Sequence, residues 1–349
     1  MSSKKNILIS PLDWGVGHAS RVIPIIELLI QKGHNIIIAS CGLQKDLLQS
    51  SFPNLVFEDI VSYNITLSDK KSQITTILSQ IPKIILAIKK EHKQVNNLVK
   101  KHKIDIIISD NRYGFYNKKI KSIFITHQTY ILLPRKIKFV EGVLNKINTS
   151  FINKFDVCWI PDNEGENNFS GKLSHKNKNI KNVKYIGILS KFNKIETEIN
   201  NDILVVLSGP EPQRTIFEQI IETRLGDTNY AVIIVRGNGQ NKKSEYGNID
   251  YISFSNSVEL NKLILESKYI ISRSGYSSIM DYIKLQKKAI IVPTLGQTEQ
   301  EYLAKYLSDR NYFIEGKQEY FNFTELVIKL EQTNSPSYTL NIKEILIDI

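Results

Sequence analysis

The feature that most constrains this chain is a rhythm played twice. Short β-branched runs fall at 6–10, 35–40, 104–109, 122–126 and 156–160, and again at 202–207, 231–236, 268–272 and 288–293 of the 349 residues. Amphipathic stretches fill the gaps, at 18–31, roughly 70–102 with an interruption at Pro82, 139–153, 213–224, 257–266, 276–284 and 298–309. Strand runs spaced by helical patterns specify parallel sheets, because a parallel partner is reached only through a long crossover. The chain is also too long for one core. It is read as an α/β unit over 1–188, a linker at 189–201 and a second α/β unit over 202–349. The polar, breaker-rich 161–182 reads as a surface loop.

Composition excludes several classes. With 42% hydrophobic and 23% charged residues the chain is globular, and no apolar run reaches the length of a membrane span. Met1-Ser2-Ser3-Lys4-Lys5 leads into the first strand without a signal-peptide core. Cys41 and Cys158 lie far apart with no ligand-like spacing, so neither a disulfide framework nor a metal site is expected, and a cytoplasmic location is. The net charge of +11 suits an anionic partner, yet no nucleic-acid-binding motif accompanies it.

Ligands of open parallel sheets bind beyond the carboxyl ends of the strands, so the loops there carry the functional signal. The first is Asp13-Trp14-Gly15-Val16-Gly17-His18, where two glycines give the backbone freedom for a close approach and His18 opens a helical pattern. Asp110 and Arg112 follow the strand at 104–109, and His127 and Gln128 follow the next. In the second half, Arg273-Ser274-Gly275 leads into a helix start bearing Ser277 and Ser278, where backbone N–H groups favour a phosphate. Asp281 lies one turn deeper, placed to accept the hydroxyls of a ribose. After the strand ending at Pro293 come Gln297, Thr298, Glu299 and Gln300, a donor and acceptor set suited to a sugar. Thr298 with Glu301 also fits a capping box. Gly209, Gln213 and Arg214 leave the strand at 202–207, and Lys191 sits at the junction of the halves.

Together these loops resemble family 28 glycosyltransferases of the GT-B fold, whose best-known member adds N-acetylglucosamine to lipid I. The family's nucleotide-sugar signature reads here as Arg273-Ser274-Gly275, Ser278, Asp281, Pro293 and Gln300, and its glycine loop as Gly15-Val16-Gly17-His18. Asp281 replaces a Glu, and Gln300-Glu301 replaces a Gln pair, which leaves the donor sugar open. The resemblance implies two Rossmann-like domains with parallel sheets facing across a cleft. It implies a UDP-sugar donor with its uracil near Phe254 and Ser255, ribose on Asp281, and phosphates at Ser277, Ser278, Gly275 and Lys191. It implies inversion with no cofactor and no metal, an acceptor on the side of Asp13, Arg112, His127 and Gln128, and either His18 or Asp110 as base. The same resemblance leaves a UDP-sugar 2-epimerase and a non-catalytic nucleotide-sugar-binding subunit as alternatives. Finally, 131–147 sets Arg135, Lys136 and Lys138 among Leu132, Leu133, Ile137 and Phe139, suiting contact with an anionic membrane at its inner face and a glycan or lipid-linked acceptor.

Overall fold

A computed structural model describes residues 4–65, 76, 79–237 and 243–340. The chain forms two compact units, the first ending at Leu189 and the second spanning Ser190–Tyr338. Thr339 returns to the first unit, where its backbone N–H and hydroxyl donate to Asn163 Oδ1, so the second unit stops short of the expected 349.

The first unit runs β1 (Asn6–Pro11), α1 (Val16–Gln31), β2 (Asn35–Ser40), α2 (Gly42–Ser51), β3 (Val56–Asp59), α3 (Ile81–His102), β4 (Ile106–Asp110), β5 (Lys121–Ile125), α4 (Glu141–Ile152), β6 (Val157–Ile160), α5 (Lys172–His175) and β7 (Val183–Tyr185). All neighbours pair in parallel, in the order β3-β2-β1-β4-β5-β6-β7. Alternation within β1 shows why both faces are covered. Ile7 and Ile9 pack with Val22, Ile25, Ile26 and Leu29 of α1, whereas Leu8 packs with Val95 and Leu98 of α3.

The second unit runs β8 (Asn201–Val206), α6 (Gln213–Leu225), β9 (Val232–Val235), β10 (Lys243–Tyr246), β11 (Ile249–Ile252), α7 (Ser257–Glu266), β12 (Ser267–Arg273), α8 (Tyr276–Leu285), β13 (Ala289–Val292), α9 (Thr298–Asp309), β14 (Ile314–Glu315) and α10 (Phe323–Glu331). Its order is β10-β11-β9-β8-β12-β13-β14, parallel except for β10 against β11. In each sheet the strand order reverses beside the first strand, between β1 and β4 and between β8 and β12. The loops flanking such a switch point diverge and leave a crevice for a ligand.

Several expectations change. Thr76 and Ser79 are helical, Gln80 is a turn, and Pro82 lies in the first turn of α3, where a missing N–H costs nothing, so the interruption expected at Pro82 falls just before it. Residues 66–75, 77 and 78 of the expected stretch lie outside the described residues. The segment 161–182 is surface loop only in part: 164–167 and most of 176–182 are exposed, whereas 161–163, 168–171, 173 and 174 are buried where Asp162 accepts from the N–H groups of Asn163, Phe169 and Ser170. The strands β3, β7, β10, β11 and β14 and the helices α2, α5 and α10 add to the elements read from the sequence.

Gly114 shows how closely α3 packs beneath the loop that follows β4. A Cβ there would lie 2.3 Å from the Ile88 carbonyl oxygen and 2.7 Å from Glu91 Oε2. Gly114→Ala is therefore expected to lower stability by about 1–3 kcal/mol in urea unfolding. An unchanged midpoint would contradict this packing.

Candidate active site

At the switch point of the first sheet, four side chains meet. The Asp110 side chain, with no exposure, lies 2.9 Å from His18 Nδ1 through Oδ2 and accepts from Arg21 Nη2 through Oδ1. Arg21 Nη1 lies 2.9 Å from His127 Nδ1, and Nη2 also comes within 3.0 Å of His18 Nδ1. Burial alone would raise the Asp110 carboxyl, but the charges and hydrogen bonds of Arg21 and His18 outweigh it and hold the group below its usual value.

His18 Nδ1 faces both the Asp110 carboxylate and Arg21 Nη2, and its side chain is 16% exposed. A carboxylate can orient such a ring by accepting from Nδ1.

The loop carrying His18 is held from below. Gly15 caps α1 with φ 86°, a left-handed conformation that suits glycine, whereas Gly17 lies within the first helical turn and does not share it. Arg112 is fully buried rather than placed for an acceptor. Its Nε donates to Glu91 Oε1 at 2.5 Å, its Nη1 lies 3.3 Å from Asp13 Oδ1, and Nη2 donates to the Val61 carbonyl. Asp13 in turn accepts from Ser62 Oγ and from the Tyr63 N–H, which ties its carboxylate into the fold. Gln128 N–H donates to Thr126 Oγ1, and its carbonyl accepts from Asn148, so its backbone also belongs to the scaffold.

In the second unit the expected donor residues divide into two sets. Arg273 is buried beneath the loops, not presented to a phosphate. It donates to the carbonyls of Pro293 and Gln213 and to Gln318 Oε1, with its guanidinium 4.2 Å above the Phe217 ring. It thereby fastens together the chain segments after β8, β12 and β13. Ser274 Oγ donates to the Gln300 carbonyl, and Gln300 itself accepts from Thr294 N–H and donates to Gln297 Oε1. Arg214 is paired locally with Glu211. The expected capping box at Thr298 does not form, because Glu301 instead accepts from the Gly296 N–H.

The second set surrounds the start of α8. Gly275 is its N-cap, and the space its Cβ would take is open. Ser277 and Ser278 lie partly exposed in its first turn, and partly exposed Asp281, one turn on, feels the charge of partly exposed Lys191. Gly209, with φ 97°, lies in the loop that follows β8, and Gln213 opens α6. Phe254 is exposed and Ser255 partly so, just before the capping box of Asn256 and Glu259. Thr298 and Glu299 are partly exposed in the first turn of α9. Sequence reading did not single out Arg21 or Glu91. The signal for Arg21 was its i+3 spacing from His18 on one helix face; Glu91, inside a lysine-rich helix, offered none.

Comparison with known proteins matches the two halves of the chain to separate domains. Residues 203–344 match the glycosyltransferase family 28 C-terminal domain, and residues 6–125 match a glycosyl transferase family 1 domain. A UDP-N-acetylglucosamine–N-acetylmuramyl-(pentapeptide) pyrophosphoryl-undecaprenol N-acetylglucosamine transferase of Clostridium botulinum is 24% identical over 79% of this chain and 75% of its own length. An uncharacterized glycosyltransferase of Methanosarcina acetivorans is 22% identical over 88% of this chain and 84% of its own. Among solved structures, the glycosyltransferase of kitacinnamycin superposes with a TM-score of 0.66 at 11% identity, covering 99% of this chain and 94% of that one. The spinosyn rhamnosyltransferase SpnG complexed with thymidine diphosphate gives 0.63 at 10% identity, covering 98% and 94%. At such identities the structures establish shared fold alone. The chain is a glycosyltransferase of the GT-B fold. Within that class it is family 28-like, with its second half matching the family 28 domain and its first half a family 1 domain.

Asp281 carries the clearest titration signature of the second unit. Burial pushes its carboxyl from 3.8 up to about 7, against the opposing effects of a 2.5 Å hydrogen bond from Ser190 Oγ and the Lys191 charge. A carboxyl that binds its proton more tightly when folded contributes stability below its unfolded value, and this is lost as pH rises through the folded one. Asp281→Asn should therefore gain stability over the wild type between about pH 4 and 7, reaching roughly 2–4 kcal/mol above pH 7 without ligand. Thermal unfolding across that range checks it, and a constant difference at all pH values would contradict it.

Proposed function

We propose that the protein is an inverting, metal-independent glycosyltransferase that moves a sugar from a UDP-sugar to an acceptor hydroxyl, with a lipid-linked glycan as acceptor. The observation that carries this reading is the His18–Asp110 pair, which sets a partly exposed imidazole against a buried carboxylate at the switch point of the first sheet. In the reaction His18 Nε2 takes the acceptor hydroxyl proton as that oxygen attacks the anomeric carbon. The bond from this carbon to the diphosphate oxygen breaks on the opposite face, and UDP leaves with the electron pair. Asp110 stabilises the imidazolium that forms.

The second unit binds the donor. The N–H groups and hydroxyls at the start of α8, with Lys191, receive the diphosphate, and Asp281 accepts from the ribose. Phe254 and Ser255 meet the uracil. Support for a nucleotide diphosphate comes from the family 28 domain match. The uracil choice draws on the Clostridium relative, whose name specifies a UDP-sugar, while SpnG binds the thymidine analogue.

Membrane contact draws on a surface of the first unit. Phe139, Val143 and Ile147 recur every fourth residue from the turn Arg135–Val140 into α4 and are 84%, 62% and 47% exposed. Arg135, Lys136, Lys138 and Lys146 are exposed in the same segment. A basic apolar face of this kind docks at an anionic interface, each cation contributing about 1 kcal/mol. Among the described residues no helix is long and apolar enough to cross a membrane.

Two outcomes test the reading. His18→Ala should retain UDP affinity by calorimetry yet lose roughly 10²–10⁴ in turnover; turnover within a few-fold of wild type would remove His18 from the base role. The protein should also float with anionic vesicles at low salt and be released when Arg135, Lys136 and Lys138 are reversed to Glu. Flotation indifferent to that reversal would point to a soluble acceptor.

A further inference from the structure

The helix that carries the exposed apolar residues is polar on its inner side, and we propose that it positions the acceptor-side loop from the membrane. In this account Glu141 and Asn145 are positioning residues, and docking of α4 on an anionic bilayer steadies the backbone that follows His127. The inference rests on the membrane reading of that surface, and the closing experiment separates the two.

The starting observation is a reversed pattern. A surface helix ordinarily buries its apolar stripe and shows its polar one. In α4 the buried positions are Glu141, Asn145, Asn148 and Ile152, spaced by four, three and four so that they share one face. The apolar Val143 and Ile147, four apart, are exposed instead, in line with Phe139 of the preceding turn. Buried polar side chains are costly unless each is hydrogen-bonded, so what they bind says what the face is for.

They bind the loop after β5. Residues 126–134 form neither strand nor helix, and a backbone without a ladder must find partners elsewhere. Asn145 takes both polar groups of one residue: its Oδ1 accepts from the Ile131 N–H at 2.7 Å, and its Nδ2 donates to the Ile131 carbonyl at 2.9 Å. Glu141 Oε2 accepts from the Leu133 N–H at 3.0 Å, while Oε1 accepts from the Tyr130 hydroxyl at 2.6 Å. Asn148 Nδ2 donates to the Gln128 and Thr129 carbonyls, and its Oδ1 accepts from Tyr113, which follows Asp110 and Arg112 after β4. One helix face thus holds the loop that carries His127 and touches the loop that begins after Asp110.

The docking face is built across the same joint. Arg135, Lys136, Lys138 and Phe139 belong to the turn that continues this loop, whereas Val143, Lys146 and Ile147 belong to the helix. The Leu133–Glu141 bond closes the turn onto the helix. A bilayer that engages both parts at once binds the closed arrangement and not one in which loop and helix have separated. Anything that binds only the closed form adds to the free energy of opening it, by mass action. Thr129 and Tyr130 are also tied to Leu173 outside α4, so the amides that report this joint are those of Ile131 and Leu133.

The test is amide hydrogen exchange of the full chain, read at single amides by mass spectrometry with and without vesicles of phosphatidylglycerol and phosphatidylcholine, beside flotation of the same mixtures. In the wild type, exchange of the Ile131 and Leu133 amides should slow as lipid is added, roughly tenfold when accessible lipid reaches about ten times its dissociation constant. The Val61 N–H, which donates to Gln94 of α3 in the same manner, should keep its rate. A merely structural brace would protect the loop equally with and without vesicles. Asn145→Ala should still float, because the outer face is unchanged, yet exchange at Ile131 should be fast and indifferent to lipid. Phe139→Ser with Val143→Ser leaves every inner bond in place and should lose flotation and slowing together.

Flotation without slowing at Ile131 and Leu133, or with equal slowing at Val61, would overturn the inference and leave the membrane reading standing. A lipid response at Ile131 undiminished in Asn145→Ala would do the same. If the wild type does not float at all, the membrane reading fails and the inference falls with it. Should Asn145→Ala fail to fold, the wild-type comparison decides alone.

Discussion

A single buried carboxylate organises the first unit's functional end. Asp110 is the last residue of β4, and its placement follows from the parallel register that sets Pro11 of β1 opposite it. The Leu12 N–H donates to the Asp110 carbonyl at 2.9 Å, so the start of the glycine-rich loop is fixed by the same residue whose side chain fixes His18. A carboxylate with no exposure survives in a low-dielectric place only if it is paired and hydrogen-bonded. Arg21 supplies that pairing, and the position of every other group in the cluster follows.

The two units solve a common problem in the same way. Each must hold loops steady at the carboxyl ends of its strands, where side chains face a ligand and cannot pack. Arg112 and Arg273, both fully buried, are the largest such side chains among the described residues. Arg112 joins α3 to the loops after β1 and β3 through Glu91, Asp13 and Val61. Arg273 joins the segments after β8, β12 and β13 through backbone carbonyls. The planar, many-donor guanidinium suits this bracing, because one side chain can satisfy several carbonyls at fixed angles. Catalytic precision in such sites depends on support of this kind.

Much of the fold was legible in the sequence because parallel central strands are buried on both faces and therefore read as unbroken apolar runs, as at Ala289–Val292 and Val232–Val235. Edge strands such as Val56–Asp59 and Ile314–Glu315 are short and half-exposed, and they carry no such signal. The burial of 161–163 and 168–171 is not visible in the sequence because it comes from Asp162 binding backbone groups, outside any apolar pattern. In the site, His18 and Asp110 stood out by residue type and position after strands. Arg112, Arg273 and Ser274 stood out equally and turned out to serve the scaffold. Sequence spacing identifies which loops matter, but whether a side chain turns outward or inward depends on its partners in space.

The central claim is that His18 removes a proton as the nucleophile attacks opposite the leaving diphosphate. Water can take the acceptor's place, so the claim can be tested before the acceptor is known. Time-resolved proton NMR of donor hydrolysis, started from an α-linked UDP-sugar in deuterated buffer, reads the first-formed sugar directly. The account predicts the β-anomer first, with no deuterium at C2. The α-anomer first, or deuterium at C2, would contradict it.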